Sequence, residues 1–306
     1  MKTIVLASSL ANIERLCPSE RIVPESRYVV LASMRLGDGG SKDEFAPVKK
    51  MILSILGDWY LPRGYTLVLN GDIEDMRRFW LKDIYAAWPE LYAAFDAFAE
   101  EGRLRKIVGE RDLALLRLLS YPYALSHGLK IESSGSSIIV THGHQASAPF
   151  FGRDYLSDYM VRWLGYPRRP KVEEGRVKDG RKAERRLYQA ASSLSSILIE
   201  GHTHRPLFES MSRRELTRRA IGDAAGEDFP VVAPCLFCTG HALGARGLRA
   251  IELEGSAILQ TRWAKLERGA TGEEGMRYVR TELRRSALAD VFERMAVATK
   301  AFVDEP

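Results

Sequence analysis

The sequence predicts an α/β fold in which short buried strands alternate with amphipathic helices. Five runs of about four to six residues are rich in Val, Ile and Leu, which is typical of strands buried on both faces. Segments with apolar residues at helical spacing lie between these runs, and each run is followed immediately by a polar or glycine-containing cluster. A length of 306 residues with 45% hydrophobic residues allows a sizeable core.

The polar clusters all stand where a predicted strand ends. In chain order, 28–33 leads into 35–38, 66–69 into 70–75, 106–108 into 109–112, 137–140 into 141–144, and 197–200 into 201–204. Ligands of open α/β sheets gather beyond the carboxyl ends of the strands. We therefore expect the five clusters to converge in space.

Two apolar stripes with helical spacing support the helical part of the fold. The first consists of Val48, Met51, Ile52, Ile55, Leu56 and Trp59, and the second of Trp88, Leu91, Tyr92, Phe95 and Phe98. Both follow the i, i+3, i+4, i+7 pattern of a helix with one buried face. Each stripe predicts a single helix packed on the sheet.

Composition excludes several classes of protein. Lys and Arg number 45 against 40 Asp and Glu, and this net charge of +5 is too mild to predict nucleic-acid binding. Three cysteines, an odd number in a long chain, favour a reducing compartment over a disulfide scaffold. No apolar run approaches the roughly 18 residues of a membrane helix, so we expect a soluble, cytoplasmic protein.

One basic segment interrupts the pattern. Residues 162–186 hold ten Lys or Arg and four Asp or Glu, a local net charge of +6. We predict a basic helical insertion at about 150–194, with a helix from near Asp179, inside a domain spanning 1–265. A C-terminal helical tail is predicted for 266–306. The insertion is interpreted as a solvated face, and the alternative is a lid that contacts an anionic ligand or the inner face of a membrane peripherally.

Four of the six histidines form two pairs at strand ends. These are His142 with His144 and His202 with His204, and they accompany the Gly-Asp pair that ends at Asp72. Imidazole nitrogens and carboxylate oxygens are ligands that suit Zn, Mn or Fe. The spacing therefore points to a divalent-metal site at the strand ends.

The motifs together resemble the calcineurin-like metallophosphoesterase superfamily. They read Gly-Asp-x-x-Asp at 71–75, Gly-x-x-Asp at 109–112, His-Gly-His at 142–144 and Gly-His-Thr-His at 201–204. Across about Ser26 to Trp263 the chain is most similar to the bacterial branch of UDP-2,3-diacylglucosamine hydrolases. The resemblance implies a four-layer α/β/β/α sandwich with a helical insertion, in which two metals bridged by one aspartate activate a water that attacks phosphorus.

The resemblance also implies roles for individual residues. Asp72 matches the bridging aspartate, His142 and His202 match ligands of one metal, and His204 matches a ligand of the other. Glu110 stands where the family has an asparagine ligand and would offer an oxygen to the first metal.

Two motifs depart from the family pattern. The family's Asp-x-His reads Ser33-Met34-Arg35 here, and its Gly-Asn-His-Asp reads Gly-Glu-Arg-Asp at 109–112. Arg35 and Arg111 therefore replace histidines, and arginine cannot exchange protons near neutral pH. The two arginines balance the charges of Asp72 and Glu110, so the pocket would be neutral without any ion.

Two functions follow from these motifs. The first is a phosphoesterase that keeps one ion (Mn, Zn or Fe) rather than two, held by Asp72, Glu110, His142 and His202. Arg35 and Arg111, with Asp112 beside them, would serve as catalytic groups toward a small phosphorylated substrate. The second is a catalytically inactive relative that retains the fold and uses the pocket, or another surface, to bind a phosphorylated ligand or a protein partner. A third interpretation assigns no function and takes the histidine pairs as remnants of the fold without current use. No nucleic-acid partner is expected in any of these cases.

Overall fold

The chain folds into two β-sheets with helices on their outer faces. The computed structural model describes residues 10–133, 135–146, 180–209, 233–240, 242, 247–266 and 278–303. Residues 147–179, which hold most of the predicted insertion, and His241 lie outside the described residues.

The larger sheet joins a parallel half to an antiparallel half. Its parallel strands are β2 (Arg27–Leu31), β3 (Thr66–Asn70), β4 (Leu104–Ile107) and β5 (Leu125–Ser126), and its antiparallel strands are β10 (Leu248–Glu254), β11 (Ala257–Lys265) and β12 (Tyr278–Ala287). In the described part of the chain the order is β12-β11-β10-β2-β3-β4-β5. Val30 of β2 lies opposite Val68 of β3, so these strands end side by side.

The smaller sheet supplies the remaining strand ends. Its strands are β1 (Ser19–Arg21), β6 (Leu129–Ser133), β7 (Ser136–Val140), β8 (Ile197–Glu200) and β9 (Leu236–Cys238), in the order β1-β6-β7-β8-β9. Strands β7 and β8 are parallel, with Val140 opposite Ile199. The two histidine pairs therefore leave the sheet from adjacent strands.

Helices cover both outer faces. They are α1 (residues 10–16), α2 (Lys49–Ser54), α3 (Leu81–Ala87), α4 (Pro89–Glu100), α5 (Gly180–Ser193) and α6 (Leu288–Val303). Helix α4 begins at a proline, which suits the first helical position because that residue needs no hydrogen-bonded N–H. The described part of helix α5 starts at Gly180, and the predicted start near Asp179 lies outside the described residues.

Alternating side chains of the larger sheet separate two cores. Val30 joins a buried cluster that also contains Ile138 of the smaller sheet and Leu187 of α5. Its neighbour Val29 joins a second buried cluster, which contains Phe95 of α4. Because successive strand residues point to opposite faces, the layers run helix, sheet, sheet, helix. The predicted α/β/β/α sandwich is confirmed.

The C-terminal tail differs from the prediction. Residues Tyr278–Ala287 form β12, a strand that pairs antiparallel with β11, and in the described part of the tail the helix is confined to the segment after this strand. A helix across the whole tail is therefore wrong. Strand β12 is an edge strand with mostly exposed side chains, so it lacks the apolar alternation that would reveal a strand in the sequence. The domain boundary at residue 265 stays a prediction.

The first predicted helix also changes form along its length. Helix α2 ends at Ser54, and residues Ile55–Tyr60 continue as a wider π-helical turn, with the Leu61 N–H donating to the Leu56 carbonyl at 3.0 Å. This turn buries Tyr60 completely, and its hydroxyl donates to Glu252 at 2.7 Å. The apolar stripe was sufficient to predict a helix but not this change of pitch.

Among the described residues, every helix is too short or too polar to cross a bilayer.

Candidate active site

The loops that follow β2 and β3 are joined along their backbones. The Ser33 N–H donates to the Gly71 carbonyl at 3.0 Å, and the Arg35 N–H donates to the Asp72 carbonyl at 3.0 Å. These bonds extend the parallel pairing of the two strands beyond the sheet edge. The first two polar clusters are therefore held side by side.

The remaining clusters join at the same edge. The Gly201 N–H donates to the His142 carbonyl at 3.1 Å, and the His142 and His202 rings lie 5.4 Å apart. The backbone N–H of Arg111 donates to Asp72 at 2.9 Å. The predicted convergence of the five clusters is thus observed.

Backbone strain is concentrated in this pocket. Ser33, Arg35, Asp72 and His204 all adopt left-handed conformations, with φ of 57°, 52°, 55° and 56°. For non-glycine residues this conformation costs about 1–2 kcal/mol each. Strained residues persist where the surrounding structure fixes them, and they cluster at functional sites. The strain marks this edge as the candidate active site.

Two glycines allow the loops to approach so closely. A Cβ on Gly71 would lie 2.6 Å from the His142 ring, and a Cβ on Gly109 would lie 2.4 Å from Oδ1 of Asp72. Both distances are far below a normal van der Waals contact. Only glycine can bring these three loops into contact.

Asp72 lies at the centre of the pocket and is almost fully buried. Its Oδ1 lies 3.4 Å from Nε2 of His142, and its Oδ2 lies 3.6 Å from Nε of Arg111. Burial alone would raise the pKa of Asp72, but the charges of His142 and Arg111 hold that pKa well below its usual value. Asp72 is therefore a permanent carboxylate with cationic neighbours.

His142 is fixed by its backbone contact. Its Nδ1 donates to the Asn70 carbonyl at 2.9 Å, which directs Nε2 toward Asp72. Burial would lower the pKa of His142, but the Asp72 carboxylate outweighs it and raises that pKa to about 9. In this arrangement His142 carries a proton on both nitrogens at neutral pH.

The pKa values of the neighbouring His202 and His144 are lowered, in contrast to that of His142. Burial lowers the pKa of His202 to about 4, and burial together with the charge of His142 lowers that of His144 well below its usual value. The backbone N–H of His202 donates to Glu200 at 2.7 Å, which fixes the start of its loop. His202 and His144 are therefore neutral imidazoles beside a charged one.

Arg35 and Arg111 enter the pocket as buried guanidinium groups. Nη1 of Arg35 lies 3.2 Å from Glu44, and Nη1 of Arg111 lies 3.0 Å from Asp75. Burial lowers the pKa of Arg35, and the nearby positive charge of Arg111 lowers that pKa further. In the described part of the chain, Nε of Arg35 and Nε of Arg111 are buried without a hydrogen-bond acceptor.

A buried charge cluster lies beneath the pocket. Nζ of Lys106 lies 2.6 Å from Asp112 and 2.9 Å from Glu74, and all three side chains are fully buried. Asp112 also accepts from the backbone N–H groups of Ile73 and Gly109. Asp112 therefore orients the loops that carry Asp72 and Arg111, and its oxygens are engaged within this cluster.

The described residues do not present a preformed metal centre. Ser33 Oγ lies 3.0 Å from Nε2 of His204, and Glu110 lies 3.7 Å from Nη1 of Arg77. Among the residues that the structure describes, no three His, Cys, Asp or Glu side chains are grouped so that they could hold one ion. Asp72, His142 and His202 nevertheless lie in one cluster, and the charge of Glu110 acts on both histidines. The set predicted for a single ion (Asp72, Glu110, His142 and His202) therefore stays a prediction.

Sequence reasoning placed the pocket but missed part of its structure. Asp72, Arg111, His142 and His202 come together as expected. The charge of Glu110 acts on both histidines although its carboxylate also lies 3.7 Å from Arg77, and His204 contacts Ser33 of the first strand-end cluster. Lys106 and Glu74 were not anticipated. A lysine inside a predicted buried strand was the one available signal for the charge cluster, since a buried lysine requires partners.

Comparisons with known proteins complete the description. No known protein family matches the chain, and no curated protein matches it. Among solved structures the fold is similar to Yfce, a phosphoesterase from E. coli, with 13% identity over 86% of this chain and 99% of that chain and a TM-score of 0.39. It is also similar to Vps29 from Chaetomium thermophilum, with 12% identity over 85% of this chain and 98% of that chain and a TM-score of 0.39.

A third similar structure is a dimetal phosphatase from Danio rerio, with 9% identity over 78% of this chain and 95% of that chain and a TM-score of 0.39. Similarity at this level carries no argument about activity. The function has to be argued from the side chains of the pocket.

Proposed function

We propose that this pocket binds the phosphoryl group of a small phosphate ester, with Arg35 and Arg111 as the anion-binding residues. The observation that carries the proposal is the pair of buried guanidinium groups. Nε of Arg35 has no hydrogen-bond acceptor among the described residues, and Nε of Arg111 faces only Asp72 Oδ2, at 3.6 Å, which is beyond hydrogen-bond distance. A buried donor left without a partner costs about 1–3 kcal/mol, so a ligand oxygen that reaches it would bind favourably. Guanidinium groups match the geometry of phosphate oxygens and hold them by paired hydrogen bonds.

The charges around the pocket support binding without an ion. Four arginines face four carboxylates, in the pairs Arg35–Glu44, Arg78–Glu44, Arg111–Asp75, Arg111–Asp72 and Arg77–Glu110. In a two-metal phosphatase, divalent ions would supply the positive charge opposite the carboxylates. Here the arginines and the protonated His142 supply it, so the carboxylates face positive charge without an ion.

The proposal gives each residue a separate task. Arg35 and Arg111 contact the phosphoryl oxygens, and Asp72 holds the Arg111 backbone in place. Asp112 and Lys106 fix the loops from below. A guanidinium binds phosphate but does not lower the pKa of a water as a metal does, so binding without rapid hydrolysis is the expected behaviour.

A phosphoesterase with one retained ion is the second candidate. The hydrogen bond from His142 Nδ1 to the Asn70 carbonyl favours this candidate. Histidines that bind a metal through one ring nitrogen commonly donate from the other nitrogen to a carbonyl. Glu110 would have to leave Arg77 to complete the set with Asp72, His142 and His202. We rank this candidate second because that rearrangement is required.

Calorimetric titration with phenyl phosphate tests the first candidate, and p-nitrophenyl phosphate with added Mn tests the second. We expect saturable binding of phenyl phosphate and no turnover of the chromogenic ester above that of buffer containing Mn. Absence of any binding would overturn the proposal. Stoichiometric Mn uptake with sustained turnover would establish the second candidate in its place.

Other sequence-based predictions keep their status as proposals. Similarity to UDP-2,3-diacylglucosamine hydrolases rests on the motifs alone. Peripheral contact with a membrane rests on the basic insertion, most of which lies outside the described residues. Cosedimentation with anionic vesicles at low salt would test that contact.

A further inference from the structure

Two arginines stand directly opposite each other in the larger sheet. Arg249 of β10 is the cross-strand partner of Arg262 of β11, and both side chains are partly exposed to solvent. Direct partners in an antiparallel pair point to the same face and lie close together, and like charges in such a pair destabilise the sheet. The arginine pair (Arg249 and Arg262) would therefore gain from a negative charge on its face.

Neither arginine finds that charge in the part of the chain that the structure describes. Arg249 and Arg262 make no hydrogen bond and no ion pair there, and Nε of Arg262 is buried without an acceptor. A buried donor without an acceptor is unfavourable, and in a native protein it calls for an explanation such as a bound ion, a water or a functional role.

The opposite face of the same strands compensates its charges. Arg280 of β12 pairs with Glu252 and lies 3.1 Å from Glu254. Arg285 lies 3.0 Å from Glu254 as well. Because side chains alternate along a strand, both glutamates of β10 point away from the face that Arg249 occupies. The strand therefore offers no acid to the arginine pair.

The arginine pair lies at the end of the sandwich that carries the strand-end loops. Ile251 lies opposite Val30 of β2, so Arg249 is two residues farther toward the carboxyl end of that strand. A Cβ on Gly240 would lie 3.7 Å from Cβ and Cδ of Arg249 and 3.5 Å from Cβ of Pro206. The stem of Arg249 thus lies against the loops that follow β8 and β9, at the edge where ligands of α/β sheets gather.

We propose that Arg249 and Arg262 form a second anion-binding site, which takes the dianionic phosphoryl group of inorganic phosphate or of a phosphate monoester. Guanidinium groups hold phosphate oxygens by paired hydrogen bonds, and two of them supply the two positive charges that a dianion requires. The bound group neutralises the opposed charges and gives Nε of Arg262 an acceptor. The proposal is independent of phosphate binding by Arg35 and Arg111.

Modification by phenylglyoxal, which reacts with accessible guanidinium groups, tests the site on the full chain with peptide mass spectrometry as the readout. At about ten times its dissociation constant, inorganic phosphate should slow the reaction of Arg249 and Arg262 about tenfold, at constant ionic strength. The exposed Arg21 is the internal control and should react at an unchanged rate. Unchanged reactivity of the arginine pair in phosphate would overturn the proposal. Arg35 and Arg111 are followed in the same spectra, so failure of the strand-end pocket is seen separately.

Phenyl phosphate in place of inorganic phosphate identifies the source of the group. Protection of the arginine pair at lower concentrations of phenyl phosphate would assign the site to a monoester, and protection at lower concentrations of inorganic phosphate would assign it to the free ion.

Variants separate a ligand site from a structural role. Arg262→Gln removes one charge of the pair, so phosphate should protect Arg249 with at least about tenfold weaker affinity. Without phosphate at low salt, this variant should melt no lower than the wild type, because a repulsion is removed. Arg280→Gln is the control on the opposite face, where it breaks ion pairs, and it should lower the melting temperature and leave protection of Arg249 unchanged. A folded Arg262→Gln protein with wild-type protection of Arg249 would show that the assignment is wrong.

Discussion

The backbone N–H of Arg111 donates to Oδ1 of Asp72 at 2.9 Å, and Nε of the same arginine lies 3.6 Å from Oδ2. Arg111 thus approaches both oxygens of the carboxylate that the motifs place at the centre of the site. In the metallophosphoesterases that the motifs resemble, two metal ions would occupy that position. This relationship is the basis for an anion pocket built by arginine.

Replacing Arg111 tests that role. Arg111→Gln removes a charged donor, and we expect phenyl phosphate to bind about ten- to hundredfold more weakly, because a hydrogen bond to a charged group contributes about 1.5–3 kcal/mol. Arg111→Lys keeps the charge without the planar donor pair and should give an intermediate affinity. Calorimetric titration measures the dissociation constant for phenyl phosphate in the wild type and in both variants.

Arg21 is a matched control for this experiment. It is an exposed arginine on β1, so Arg21→Gln removes the same charge from outside the pocket. Its affinity for phenyl phosphate should equal that of the wild type. Similar losses in Arg21→Gln and Arg111→Gln would show that net charge, and not the pocket, controls binding.

The close approach of the loops gives a second prediction. A Cβ on Gly109 would lie 2.4 Å from Oδ1 and 2.5 Å from the backbone nitrogen of Asp72, so Gly109→Ala should lower the free energy of unfolding by about 1–3 kcal/mol. Gly57→Ala is the control, because a Cβ there meets nothing within 4 Å. Urea denaturation distinguishes them, and equal stabilities would refute the packing argument.

The buried charge cluster gives a third prediction. Lys106→Met leaves Glu74 and Asp112 buried without their cation, and we expect a loss of about 3–5 kcal/mol in the free energy of unfolding. Lys130→Met breaks a partly exposed pair with Glu132 and should cost less than about 1 kcal/mol. Chemical denaturation of both variants measures the difference. A loss below 1 kcal/mol in Lys106→Met would mean that the cluster does not stabilise the loops.

Much of the parallel core could be predicted from sequence because its strands are buried on both faces. The runs that became β3 and β7 are continuous and apolar, and both were found within one residue of their bounds. Strand β12 was missed because an edge strand with exposed faces carries no apolar signal. Strand β1, with three residues, is too short to show a period.

The candidate site was predictable to the level of which loops meet. Residues after parallel strand ends must be neighbours, and this placed Asp72 near Arg111 and His142 near His202. The partners of each side chain were not predictable, because they depend on rotamers and on left-handed turns. The Ser33 contact with His204 and the Glu110 contact with Arg77 belong to this second kind.

A fourth prediction concerns the C-terminal helix. Glu209 pairs with Arg294 of α6 at 2.7 Å, and the hydrogen bond from Arg294 lowers the pKa of Glu209. A lowered pKa stabilises the folded state above the unfolded pKa of about 4.3 and loses that effect as pH falls through the folded pKa. Because the pair is partly exposed, Glu209→Gln should cost about 0.5 kcal/mol at pH 7.

The difference between Glu209→Gln and the wild type should disappear toward pH 3, as followed by urea denaturation at several pH values. A difference that persists undiminished at pH 3 would show that another interaction of Glu209 is responsible.

The most direct test of the arginine pocket is the affinity for phenyl phosphate measured with and without a chelator. If Arg35 and Arg111 supply the positive charge, the dissociation constant in EDTA should equal that in buffer containing Mn. Affinity that is lost in EDTA and restored by Mn would contradict the account and assign phosphate binding to a metal ion.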